Sequence, residues 1–80
     1  MSEGEIAGAL TQALCAAADE AAGAKTTPVS VEITWIADAM EGRIDTSVTR
    51  ATRTLLFLSA DYIAAGGARI ATAASVHKRA

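Results

Sequence analysis

Apolar residues in the first third of the chain recur at helical spacing. Ile6, Leu10, Ala13, Leu14, Ala17 and Ala21 follow one another at intervals of three or four, which places them on one stripe of a helix. Ser2-Glu3-Gly4-Glu5 just ahead has the spacing of a capping box: the Ser2 hydroxyl accepts from the Glu5 amide, and the Glu5 carboxylate reaches back. Glu3 and Glu5 also complement the positive end of the helix dipole. Gly23 suits a C-cap and Pro28 forbids continuation, so a helix is predicted at about residues 3–23. Its alanines, present on nearly every face, let a sheet backbone approach closely.

Beyond Pro28 the period becomes two. Val29, Val31, Ile33 and Trp35 alternate with Ser30, Glu32 and Thr34, the pattern of a strand with one buried face. Residues 38–42 read as a turn. Residues 43–53 follow, with Ile44, Thr46 and Val48 on one face and Asp45, Ser47 and Thr49 on the other. Residues 54–63 are apolar on both sides, Leu55 and Phe57 opposing Leu56, Leu58 and Tyr62. That marks a central strand, or one covered at a subunit interface. Ala64-Ala65-Gly66-Gly67 predicts a hairpin turn, residues 68–77 the last strand, and Lys78-Arg79 a basic tail. Sequential strands with short connections predict an antiparallel meander. A single helix covers one face of such a sheet, and the other face is polar or buried against a partner.

Composition sharpens this picture. Eighty residues bound the chain to one domain, 1–80, and with 4% aromatics its core is light. A chain this short buries only about 60–65% of its unfolded surface and needs a brace. One cysteine, Cys15, excludes an intrachain disulfide, and one histidine, His77, cannot complete the common four-ligand zinc site. No metal and no cofactor are expected, and self-association into a homodimer or higher homo-oligomer is. A net charge of −2 argues against nucleic acid as a partner. The longest apolar runs are too short to span a bilayer, and the acidic start lacks the basic region of a signal peptide. The expectation is a cytoplasmic protein with no membrane partner.

The order of these pieces resembles the hot-dog fold of acyl-CoA thioesterases, in which an antiparallel sheet wraps one long helix and copies assemble. The likeness lies in Pro-Val-Ser-Val-Glu-Ile-Thr-Trp-Ile at 28–36, Glu41-Gly42-Arg43-Ile44, the basic bend and apolar strand from Arg50 to Ala60, and Gly67-Ala68-Arg69-Ile70-Ala71-Thr72-Ala73. It implies an α+β hot-dog-like domain: one long N-terminal helix on a four-stranded antiparallel sheet, with the family's first strand absent. It further implies a protein that hydrolyses or binds a coenzyme A thioester at a subunit interface. The sequence departs from the family in three places. Glu3-Gly4-Glu5 stands where many members carry His-Gly-Gly, Gln12 where they carry an acid, and Ala51 or Thr52 where the basic bend has glycine.

By that resemblance the thioester carbonyl sits at the helix N-terminus, where Gly4, Glu5 and Ile6 supply N–H donors to the developing oxyanion. Gln12 would orient a water, although a neutral amide cannot serve as general base. Arg50 and Arg53 suit the phosphates of coenzyme A, as does the basic tail, and Phe57 would line an acyl pocket. Plainer roles stand beside each of these. Ser2–Glu5 is also simply a helix start, and Gln12 a polar helix residue. Asp45 and Asp61 are candidates for ion pairs with Arg50, Arg53 or Arg69. Trp35, Phe57 and Tyr62 are candidates for the core, Asp19 for a solvated charge, Cys15 for an inert buried thiol and His77 for a terminal surface residue. Two other functional classes remain open: a non-catalytic binder of acyl-CoA or a small apolar ligand, and a structural oligomerisation module.

Overall fold

Both halves of the capping box form. In the computed structural model, which describes residues 2–80, Ser2 Oγ accepts from the Glu5 amide and Glu5 Oε1 accepts from the Ser2 amide, each at 3.2 Å. Helix α1 follows over Glu3–Ala22 and ends at Gly23, whose φ of 70° is the left-handed cap that glycine adopts without strain. Ile6, Leu10, Leu14 and Ala18 form its buried ridge. Each buried leucine contributes roughly 1.5–3 kcal/mol relative to exposure.

Four strands follow: β1 over Thr26–Trp35, β2 over Gly42–Ala51, β3 over Leu55–Ala64 and β4 over Arg69–Arg79. They form one antiparallel sheet in the order β1-β4-β3-β2. Strands β2, β3 and β4 make the expected meander. Strand β1 does not join it beside β2; it pairs with β4 at the opposite edge. The segment 36–41 therefore carries the chain past the ends of β4 and β3. It is pinned on the way: the Ile36 and Ala37 amides both donate to the Ile70 carbonyl, at 2.9 and 3.2 Å, and the Tyr62 hydroxyl donates to the Met40 carbonyl at 3.0 Å. Ile70 is available because the β3–β4 register shifts there.

The face of the sheet under α1 is built from Leu56, Leu58, Ala60, Tyr62 and Ala64 of β3 and Ala71, Ala73, Ser75 and His77 of β4, all buried. Of the three aromatics, Tyr62 is core, whereas Trp35 is exposed with Ile36 and Met40 at the end of β1. His77, expected at the surface, has no exposed area at all. Its place near the end of the chain is also a place on an inner strand, between β1 and β3.

The direction of α1 over the sheet is set at its C-terminal end. Asp19 Oδ1 accepts from both the amide and the hydroxyl of Thr26 at 2.7 Å, tying the last turns of α1 to the first residue of β1. A helix of 20 residues and a strand of 10 both run about 30 Å, so β1 returns level with the helix start. The cross-strand row Trp35–Ala71–Tyr62–Ile44 thus lies towards the N-terminal end of α1, and the row Pro28–His77–Leu56–Ala51 towards its C-terminal end.

Candidate functional site

The helix start offers fewer free donors than its sequence suggests. Of the three amides expected to face a carbonyl, that of Glu5 is engaged by Ser2 Oγ and that of Ile6 by the Ser2 carbonyl at 3.1 Å. Gly4 is the one Ser2 does not engage. The Glu5 carboxylate is itself held by the Ser2 amide and hydroxyl. The Ile6 side chain is fully buried in the core, which leaves it no surface for a substrate. Gln12 is exposed, on the side of α1 opposite Leu10 and Leu14. At 1.5 Å of rise per residue it stands about 12 Å along the helix from Gly4, too far to share one thioester carbonyl with it in a single chain.

Arg50, Arg53 and Phe57 lie elsewhere. Phe57 sits between buried Leu56 and Leu58, and so points to the sheet face opposite α1, half-buried. The Arg50 guanidinium lies over its ring, 5.9 Å from the centroid. Together with Ser30, Glu32, Thr49, Ala74 and Val76, Phe57 lines a shallow hollow of about 240 Å³ on that open face. Arg53 is exposed in the β2–β3 turn, which Thr52 closes by accepting the Leu55 amide on its hydroxyl at 2.9 Å. This turn is at the end of the sheet under the C-terminal part of α1. Within one chain the candidate residues therefore do not converge: Gly4, Glu5 and Ile6 lie towards one end of a molecule 37 Å long, Arg50, Arg53 and Phe57 towards the other, and Gln12 midway along α1. Of the acids, Asp61 pairs with Arg69 at 3.6 Å and Asp45 with its strand neighbour Arg43 at 3.8 Å. Both pairs are solvated and contribute little.

A polar cluster that the sequence did not announce lies under the C-terminal turns of α1. His77 Nε2 is 2.8 Å from Ser75 Oγ, and both residues are buried. Asp19, expected as a solvated charge, is the acceptor that binds Thr26. The Thr26 hydroxyl and then its amide hold the Asp19 carboxyl below its ordinary value, outweighing desolvation, with smaller help from Lys25 and His77. Burial pushes the His77 imidazole down, against the attraction of Asp19. The signal was present in the parity of β4, where Ser75 and His77 are in phase with Ala71 and Ala73. Among the described residues there is no group of three His, Cys, Asp or Glu placed to hold a metal, and no helix long and apolar enough to cross a membrane.

No family model matches the sequence, and a search of curated proteins finds no match. Solved structures do match. The BH2602 protein from Bacillus halodurans, crystallised with CoA, superposes with a TM-score of 0.84 at 14% identity, over 94% of this chain and 52% of its own. A protein from the thioesterase superfamily superposes with a TM-score of 0.72, again at 14% identity, over 80% of this chain and 50% of its own. The chain spans about half the length of these structures. The helix on a four-stranded antiparallel sheet is the hot-dog, thioesterase-like fold anticipated from the sequence.

Proposed function

We propose that this chain binds a coenzyme A thioester at the interface of a homodimer or higher homo-oligomer and promotes its hydrolysis there. The observation that carries the reading is the superposition on a CoA-bound structure over 94% of the chain. The separation of the candidate residues supports the interfacial part. A two-fold, antiparallel second copy would bring its Arg50 and Arg53 end beside the Gly4 end of the first. The outer edge of β2 suits such a contact, because its ladder is regular from Gly42 to Val48. The edge of β1 is interrupted by Pro28 and a register shift before Ser30. In this reading the Gly4 amide of one copy polarises the carbonyl, Gln12 of the other copy orients water, and Arg50 and Arg53 meet phosphate. Phe57 remains on the open face and supports the Arg50 side chain.

A second reading, binding without turnover, is favoured by one observation: where the resemblance expects an acid the helix carries neutral Gln12, and the Glu5 carboxylate is held by Ser2. One experiment separates the two. A short panel of acyl-CoA esters is titrated while thermal stability and thiol release are followed. A ligand at a hundred times its Kd stabilises by about 2.7 kcal/mol, which raises Tm by roughly 10–20 °C in a chain this size. Stabilisation with thiol release supports the hydrolase, and stabilisation alone the binder. Neither effect overturns both and leaves a structural oligomerisation module. Sedimentation of a folded monomer at micromolar concentration overturns the interface.

A further inference from the structure

The face of the sheet turned away from α1 has no cover within the chain, and its residues stand in a definite order. The ladders set its cross-strand rows. One row reads Ser30–Val76–Phe57–Arg50, the next Glu32–Ala74–Ser59–Ser47 and the third Thr34–Thr72–Asp61–Asp45. Ser47 Oγ lies 3.0 Å from Ser59 Oγ and the Arg50 guanidinium lies over the Phe57 ring, so these side chains share the face. Val76 and Phe57, both half-buried, occupy the inner strands β4 and β3. Glu32 stands on one edge strand and Arg50 on the other. They are three strand spacings apart, about 14 Å, and among the described residues neither joins an ion pair.

We propose that this face receives a second copy of the chain, laid sheet against sheet about a two-fold axis parallel to the strands. The inference goes beyond the thioester reading and does not depend on it.

An axis in that direction keeps each row and exchanges the strands: β4 lies on β3 of the second copy, and β1 on its β2. Val76 then meets Phe57 of the second copy, and Phe57 meets its Val76, so apolar surface covers apolar surface at the centre. The hollow of about 240 Å³ around Phe57 is where these side chains enter. Glu32 comes within one row of Arg50 of the second copy, twice in each pair. Asp45 and Asp61 face the hydroxyls of Thr34 and Thr72, and within these rows no like charges are opposed. The alternative axis, across the strands through the middle row, sets Glu32 on Glu32 and Phe57 on Asp61. Like-charge contact and a desolvated carboxylate disfavour it.

The dimensions suit such a contact. Sheets packed face to face keep their strands within about 30° of one another and stand about 10 Å apart, within reach of these side chains. Four strands of this length make a face of about 20 by 30 Å. Two copies therefore bury roughly 1,200 Å², the lower end for a specific interface. The outer edge of β2 stays open, so pairing along that edge is compatible with this contact. Arg53 lies beyond the face in the β2–β3 turn, and Arg50 has five donors, more than one carboxylate uses.

Sedimentation equilibrium over micromolar concentrations tests the proposal with the wild type, Glu32→Arg, Arg50→Glu, the double exchange and Ala74→Arg. Circular dichroism checks that each variant folds. Each single charge reversal turns two attractions per pair into repulsions and is expected to weaken association about tenfold or more. The double exchange restores opposite signs and is expected to return to within about threefold of the wild type. Ala74 is exposed at the centre of the face, so Ala74→Arg keeps the fold and blocks the contact. Added salt weakens the wild-type association. A monomeric wild type, a Glu32→Arg or Ala74→Arg that associates as the wild type does, or a double exchange as weak as the single reversals overturns the proposal. If Arg50→Glu does not fold, Glu32→Arg and Ala74→Arg decide it. Equal association in all five overturns this face and leaves the β2 edge contact standing, and coenzyme A binding is read separately by the thioester panel.

Discussion

Replacing Gly42 by alanine tests the packing of the sheet where β2 begins. Gly42 opposes Ala64 as the first pair of the β2–β3 ladder. An added Cβ would collide with the carbonyl oxygen of Ile63, and would lie 2.8 Å from its carbonyl carbon and 3.0 Å from Cε1 of Tyr62. The first two obstacles are backbone of an inner strand, so relief requires β2 to move. The third is a ring fixed at its far end by the Tyr62 hydroxyl bond to Met40. Overpacking of this kind costs about 1–3 kcal/mol, and the fixed backbone puts Gly42→Ala in the upper part of that range. In a chain this size each kcal/mol lowers Tm by about 4–8 °C, so a fall of roughly 8–20 °C is expected. Gly66→Ala is the control, because a Cβ there meets open space and its φ is not positive. It should stay within about 0.5 kcal/mol of wild type. Thermal melts followed by circular dichroism, at one protein concentration, give both numbers. If Gly42→Ala melts together with Gly66→Ala, β2 is not as close to β3 as described and the reasoning fails.

Three further outcomes are expected. Ser2→Ala removes the hydroxyl arm of the capping box, leaving the backbone amide to donate to Glu5, and should cost about 1 kcal/mol, read as a loss of Tm and of helical circular dichroism. Gln12 is exposed, so Gln12→Ala and Gln12→Asp should leave Tm unchanged. If Gln12 orients water, the first lowers thioester hydrolysis about a hundredfold and the second raises it, whereas unchanged rates in both remove Gln12 from the mechanism. The Asp19 carboxyl is held below its ordinary value of 3.8 by Thr26, so the stability it supplies is present above that value and lost as pH falls through the lowered one. An acid titration of Asp19→Asn should lack that part of the decline.

The helix was legible because every signal in it agrees: Ser2 and Glu5 for the start, Gly23 for the end, and Ile6, Leu10 and Leu14 for the face. The strands were legible from period two, most clearly in β3, where Leu56, Leu58 and Tyr62 alternate with half-buried residues. The pairing of β1 with β4 was not. Neighbours in sequence suggest neighbours in space, and nothing local in residues 36–41 reports that Ile70, far along the chain, is their anchor. His77 was misplaced for a different reason. The buried face of β4 carries Ala71, Ala73, Ser75 and His77, and the open face Thr72, Ala74, Val76 and Lys78, so hydrophobicity alone does not separate them. The candidate site residues were chosen by type and resemblance, and the structure spreads them from the helix start through Gln12 at mid-helix to Arg50, Arg53 and Phe57 at the far end of the sheet. The capping box already implied that the Glu5 amide is taken by the Ser2 hydroxyl, and the Ser2 carbonyl takes that of Ile6 as well, so the start of the first turn keeps fewer donors than the resemblance asks of it.

The path of residues 36–41 has a consequence for how the chain reaches this state. Strand β1 finds its ladder only on β4, with Thr26 opposite Arg79, so a strand made early pairs with one made last. Loops of that length close slowly, and topologies dominated by them fold slowly. During synthesis α1 can coil as soon as it emerges, but Val31 and Ile33 have no ladder to join until residues 69–79 are out. The hairpin of β2 and β3 can form in the interval and wait with one edge of β3 open. Arrival of β4 then fills the middle of the sheet and recruits β1 in the same event, so the sheet closes last where its first and last strands meet.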